Sequence, residues 1–127
     1  MTDSPDPGSN WATFGLIAVA GAMGAMTRYG LDMAGLGGAV AVLVANVLGC
    51  LALGVVVTAV SPYDRRTRAV IAGGFLGSFT TYSALATTVL ESTVVVGVGY
   101  LMATYALGLA AICAGAETTR RLEGTWS

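Results

Sequence analysis

Charged residues cut this chain into four long apolar stretches, and no other feature constrains its fold so tightly. Between Trp11 and Glu117 the only charges are Arg28, Asp32, Asp64, Arg65, Arg66, Arg68 and Glu91. The stretches run from about Ala12 to Arg28, from roughly Leu36 to Val60, from Ala69 to Leu90 and from about Thr93 to Ala116. Each is near the roughly 20 apolar residues that a helix needs to cross a bilayer. All are rich in Ala, Gly, Val and Leu, and none carries a polar stripe at a helical period, so none reads as a surface helix. Only 10% of the 127 residues are charged, against about 25% in a soluble domain. The expected fold is an all-α membrane protein with four transmembrane helices, multi-pass in the cell membrane with lipid around it.

Three segments follow: 1–11 as a disordered cytoplasmic tail, 12–116 as the four-helix transmembrane domain, and 117–127 as a short cytoplasmic tail. The stretch Met1–Asn10 is acidic and rich in Pro, Gly and Ser. A cleaved signal peptide would want a basic start, so the first span reads as a membrane helix with Trp11 as an interfacial anchor. The connections are short: Asp32 to Gly35, Ser61 to Arg68 with a Ser-Pro helix stop, and the tight Glu91-Ser92 turn.

Several chemistries are excluded. With no His, neither imidazole acid–base catalysis nor a His-based zinc site is available, and no enzyme is expected. A net charge of −1 gives no basic field for nucleic acid. Cys50 and Cys113 sit apart inside apolar runs and read as packing residues. No Asp or Glu lies within any span. That disfavours proton-coupled exporters, which need an intramembrane carboxylate, and cation paths lined by acidic rings. What remains is an environment of neutral donors and aromatic edges, suited to an anion.

Polar groups at bilayer depth are costly and mark functional candidates. Asn46 lies near the middle of span two; its NH2 suits a desolvated anion, and an interhelical hydrogen bond is the competing reading. The run from Gly73 to Ser83 (GGFLGSFTTYS) packs three glycines and five Ser, Thr or Tyr hydroxyls into the middle of span three. Gly is a poor helix former, and Ser and Thr offer the backbone competing bonds. A helix broken at mid-membrane near Gly77 to Thr80 is expected, with freed carbonyls suited to a cation such as Na⁺. The alternative is an intact helix whose hydroxyls bond back to preceding carbonyls. Arg28 closes span one, either drawing anions at an aqueous mouth or snorkelling to the interface. Tyr105 in span four lines a path or packs. The small-residue pairs Ala20/Gly24, Ala45/Gly49 and Gly73/Gly77 permit close helix approach, within the chain or with another subunit.

Three segments resemble the motifs of the Fluc (CrcB) fluoride channels. They are Gly21–Tyr29 (GAMGAMTRY) in span one, Asn46-Val47-Leu48-Gly49 in span two, and the Gly73–Ser83 run in span three. The resemblance implies an antiparallel dual-topology dimer with two fluoride pores and a structural Na⁺ at the dimer interface. It places that Na⁺ on the backbone carbonyls of Gly77 and Thr80, fluoride on the Asn46 amide and Arg28 near an aqueous mouth; with Tyr82, Ser83 and Tyr105 these make up the expected anion pathway. The implied function is a passive fluoride-selective channel that exports cytoplasmic fluoride. In the family two phenylalanines bring ring edges, which carry positive character, to the ion. Here Tyr82 keeps a ring, whereas Ala84 and Leu85 depart from the pattern. That departure is the warrant for the alternative, a non-conducting structural subunit of a heterodimeric channel.

Charge counting bears on the partner. Four spans put the central loop and both tails on one side, with Arg65, Arg66, Arg68, Arg120 and Arg121, against Arg28 alone on the other. The positive-inside rule then places both termini in the cytoplasm. A chain inserting both ways should have a near-even count, so an oppositely oriented homologue is expected as partner, with pairing to itself as the other case.

Overall fold

In the computed structural model, residues 7–60 and 64–125 are described. Residues 1–6 of the expected tail and the Ser61-Pro62 turn lie outside them. Four apolar helices long enough to cross a membrane account for nearly all of the described chain.

Helix α1, Pro7–Leu31, begins inside the segment expected to be a disordered tail. Residues 7–11 are helical: proline is pre-set for the first helical position, where its missing N–H has no helical partner to lose. A π-helical turn, Asp32–Leu36, follows, and Gly35 and Gly38 turn the chain with φ of +89° and +70°. Glycine alone adopts that region without strain. Helix α2 spans Ala39–Ala59.

The third span is irregular. Its first turn, α3 (Arg65–Arg68), is capped by Asp64, whose Oδ1 accepts from the Thr67 amide at 3.0 Å. Hydrogen bonds from the Thr67 side chain and amide hold the Asp64 carboxyl below its ordinary range. Arg68 Nη2 reaches back to the Val57 carbonyl at 2.8 Å, satisfying an end group of α2. A π-helical stretch, Ala69–Leu76, leads to a last turn, α4 (Gly77–Phe79). Thr80 and Thr81 then take extended dihedrals, and α5 (Tyr82–Glu91) resumes with the Thr81 hydroxyl accepting from the Ala84 amide at 3.2 Å. The final helix, α6 (Val94–Gly124), starts on a Thr93 cap. Its 31 residues are about 46 Å long, so its C-terminal turns, with Arg120 and Arg121, project past a hydrocarbon core of about 30 Å.

The helices pair two by two through small residues. A β-carbon on Gly24 would overlap the Phe75 carbonyl, and one on Gly74 would lie 2.8 Å from the Ile17 carbonyl. On the other pair, Gly115 faces the Leu51 carbonyl and Gly54 the Ile112 carbonyl with no room for a methyl group. At the opposite end the Tyr100 hydroxyl donates to the Ala39 carbonyl at 2.7 Å. Low numbers meet low numbers, so α2 and α6 run parallel, as do α1 and the third span. Ala45 is fully buried, and Gly49 packs on the Thr80 methyl. Gly73 and Gly77, by contrast, are exposed and face no other helix of this chain.

No large side chain among the described residues is fully buried, and Leu90, Val94 and Val95 are each more than 80% exposed. An apolar surface of that extent belongs against lipid or another subunit.

Candidate functional site

The site is built where α2 meets the interruption of the third span. Continuing the helix through Thr81 would give its amide to the Gly77 carbonyl. Instead the Thr81 amide donates to Asn46 Oδ1 at 2.9 Å, and Asn46 Nδ2 lies 3.4 Å from the Thr81 carbonyl. The side-chain amide stands in for backbone across 35 residues of sequence. Because the Thr81 N–H can only donate, the oxygen of Asn46 must face it, which fixes the orientation of the amide. The second N–H of Asn46 has no protein partner among the described residues.

This arrangement frees carbonyls. Thr80 N donates to Leu76 O at 2.9 Å and Thr81 N is engaged by Asn46, so neither amide that would ordinarily reach Gly77 O does so. Likewise the Ala84 amide goes to Thr81 Oγ1 and not to Thr80 O. The hydroxyl of Thr80 itself bonds back to Leu76 O at 3.0 Å. Two neutral carbonyl oxygens without helical partners are donors of the kind that unwound membrane helices offer to Na⁺. The residues present therefore fit such an ion.

Two cavities flank the interruption. The first, about 490 Å³, is mostly apolar and includes Asn46, Gly77, Thr80, Tyr82 and Tyr105. Tyr82 is 73% exposed at its rim, whereas Leu85 is 4% exposed and turned into the chain. The second, about 570 Å³, is more polar and includes Arg28, Asp32, Ser83, Thr87 and Glu91. The pathway candidates are thus divided, with Asn46, Tyr82 and Tyr105 on one side and Arg28 and Ser83 on the other. Thr81 lines both cavities and is itself buried. Its hydroxyl lies 3.2 Å from that of Ser83, and either can be the donor.

Sequence reasoning passed over Thr81 as one hydroxyl among many; its cap position, three residues before the Ala84 amide, was the available signal. Asp32 and Glu91 served only as span boundaries, and nothing local announced that they share a cavity with Arg28. Among the described residues no group of three His, Cys, Asp or Glu side chains could hold a metal.

Known proteins bear on this geometry. The family profile described as CrcB-like protein, Camphor Resistance (CrcB), matches residues 15–116. The chain is 38% identical over 118 residues to the fluoride-specific ion channel FluC 1 of Haloarcula marismortui, covering 88% of this chain and 89% of that one. It is 33% identical over 119 residues to the FluC of Paracoccus denitrificans, covering 87% and 96%. To FluC 1 of Methanospirillum hungatei it is 28% identical over 115 residues, covering 88% and 81%. With the matched profile spanning all four apolar helices, the chain belongs to the CrcB family.

Proposed function

We propose that this chain is a subunit of a passive fluoride channel in the cell membrane, through which cytoplasmic fluoride leaves. The observation that carries the reading is the Asn46–Thr81 junction, which leaves an amide donor in a cavity without any carboxylate. Relatives that align over more than four-fifths of the chain bear the name fluoride-specific ion channel. Weak-acid chemistry makes such a path useful. Neutral HF crosses lipid, ionises at neutral pH and is trapped as the anion. An inside-negative potential then expels it with about 2.3 kcal/mol per charge per 100 mV. Asn46, Tyr82, Ser83, Arg28 and Tyr105 would replace the water around the ion. The division of these residues between two cavities is bridged by Thr81.

The active unit is an antiparallel dimer, and the exposed Gly73/Gly77 stripe suits the close approach of a second helix. Na⁺, held by the Gly77 and Thr80 carbonyls, would supply a fixed positive charge tying the two interrupted helices together at mid-membrane. The arginine count favours the orientation with both termini in the cytoplasm, and an antiparallel partner is inverted relative to it.

That same count favours a second reading, pairing with an oppositely oriented homologue in which this chain serves a structural role. Leu85, buried and without a ring edge, points the same way. Fluoride efflux from proteoliposomes holding this chain alone decides between them. Robust efflux, with a cysteine in the α2–α3 loop labelled from both sides, supports the self-paired channel. No efflux, with labelling from one side, supports the structural subunit.

A further inference from the structure

The polar cavity is unbalanced in charge. Arg28 from α1, Asp32 from the π-helical turn and Glu91 from the end of α5 line it, with Gly38 just before α2 and Ala41 and Val42 in its first turn. Two carboxylates against one guanidinium leave a net charge of −1 at neutral pH. None of the three forms an ion pair with another described residue; the Glu117–Arg121 pair lies on the far end of α6. Helices α1 and α5 end at this mouth and α2 begins there, so their terminal dipoles partly offset and the side-chain charges decide the sign. The hydroxyls of Thr81 and Ser83 form the wall deeper in. An anion approaching from this end therefore meets Arg28 outweighed by two carboxylates before it reaches the Thr81 and Ser83 hydroxyls.

We propose that Asp32 and Glu91 are rate-setting residues of this mouth, holding it electronegative so that anion entry from that end is throttled. The consequence for flux rests on the channel reading above, whereas the field itself does not. A cavity of about 570 Å³ is roughly 10 Å across. A unit charge about 10 Å away through water changes the local concentration of a monovalent ion by about 1.7-fold at 0.01 M salt. Replacing both acids, in D32N/E91Q, takes the mouth from −1 to +1. Anion admission then rises about three-fold at 0.01 M salt, and the gain disappears near 1 M, where the screening length is about 3 Å.

Two measurements on the full chain test this. Fluoride efflux from proteoliposomes reads the throttle; the field is read by the reaction of a Thr87→Cys thiol in a C50A/C113A background. Thr87 is exposed on the cavity wall. The thiol is treated with a positively charged trimethylammonioethyl methanethiosulfonate and, separately, with its negatively charged sulfonatoethyl counterpart. At 0.01 M salt the cationic reagent should be favoured relative to a free thiol, and D32N/E91Q should reverse the preference. Both effects should vanish at 1 M, and efflux at low salt should rise about three-fold. A reagent preference unmoved by D32N/E91Q overturns the proposal, as does a change that persists undiminished at 1 M salt. Ala84→Cys on the same wall is the second reporter should Thr87→Cys fail to fold. Absence of fluoride flux in the wild type counts against the channel reading alone, because the reagent preference still decides whether the field exists.

Discussion

Replacing Asn46 tests the junction at its centre. Asn46→Leu removes the oxygen that accepts the Thr81 amide at 2.9 Å. Thr81 is only 7% exposed, so water cannot fully substitute. An amide left unpaired there costs about 1–3 kcal/mol, roughly a 5- to 150-fold loss in the folding equilibrium. The Nδ2 contact, at 3.4 Å, adds little to that figure. The chain has one escape: the Thr81 amide turns back to the Gly77 carbonyl and the helix heals. That recovers a bond but consumes a free carbonyl and closes the interruption. Either way the anion donor is gone. Asn46→Asp separates the two roles, because it keeps an oxygen towards the Thr81 amide while replacing the donor by a second acceptor. The assays are unfolding by sodium dodecyl sulfate in mixed micelles and fluoride efflux read by electrode. Asn46→Leu should lose about 1–3 kcal/mol and all efflux. Asn46→Asp should lose less stability and still show no efflux. Wild-type efflux and stability in Asn46→Leu would refute the reasoning, leaving the amide a bystander.

Gly54→Ala and Gly115→Ala should each destabilise the bundle by about 1–3 kcal/mol in the same unfolding assay, since a methyl group meets a facing carbonyl. Gly73→Ala, which faces open space within the chain, should leave that fold intact but lower dimer yield in crosslinking. Tyr82→Phe should preserve fluoride efflux and Tyr82→Ile should not; equal rates would show that the ring is irrelevant. Exchange of Na⁺ for N-methyl-D-glucamine should weaken the dimer on size exclusion, and an unchanged profile would argue against an ion on the Gly77 and Thr80 carbonyls.

The spans were legible because charge and apolar length are local properties. Their ends were less so. The stretches were cut at charged residues, yet α1 continues past Arg28 and α6 carries Glu117, Arg120 and Arg121 on added turns. A helix tolerates charge once it leaves the hydrocarbon, so charge marks the membrane boundary better than the helix end. In the third span the Gly and hydroxyl density signalled weak helix. It could not foretell that Ala69–Leu76 would adopt a π register or that Gly77–Phe79 would stay helical before the extended Thr80–Thr81 pair. The extended Thr81 is held by Asn46, 35 residues away. The separation of Arg28 and Ser83 from Asn46 and Tyr105 is likewise tertiary, and no spacing in the sequence encodes it.

The placement of Thr81 between the two cavities has an electrical consequence. On the proposed pathway, with both cavities wetted by electrolyte, they would act as low-resistance leads and the resistance would concentrate near Thr81, the residue they share. Most of the transmembrane voltage would then fall across the Asn46–Thr81 contact. An ion crossing that short step would carry its charge through most of the field, which in full is worth about 2.3 kcal/mol per 100 mV. Ions moving within either cavity would be less sensitive to voltage. Side chains lining the cavities would then scale the current, while those at the Asn46–Thr81 contact would shape its dependence on potential.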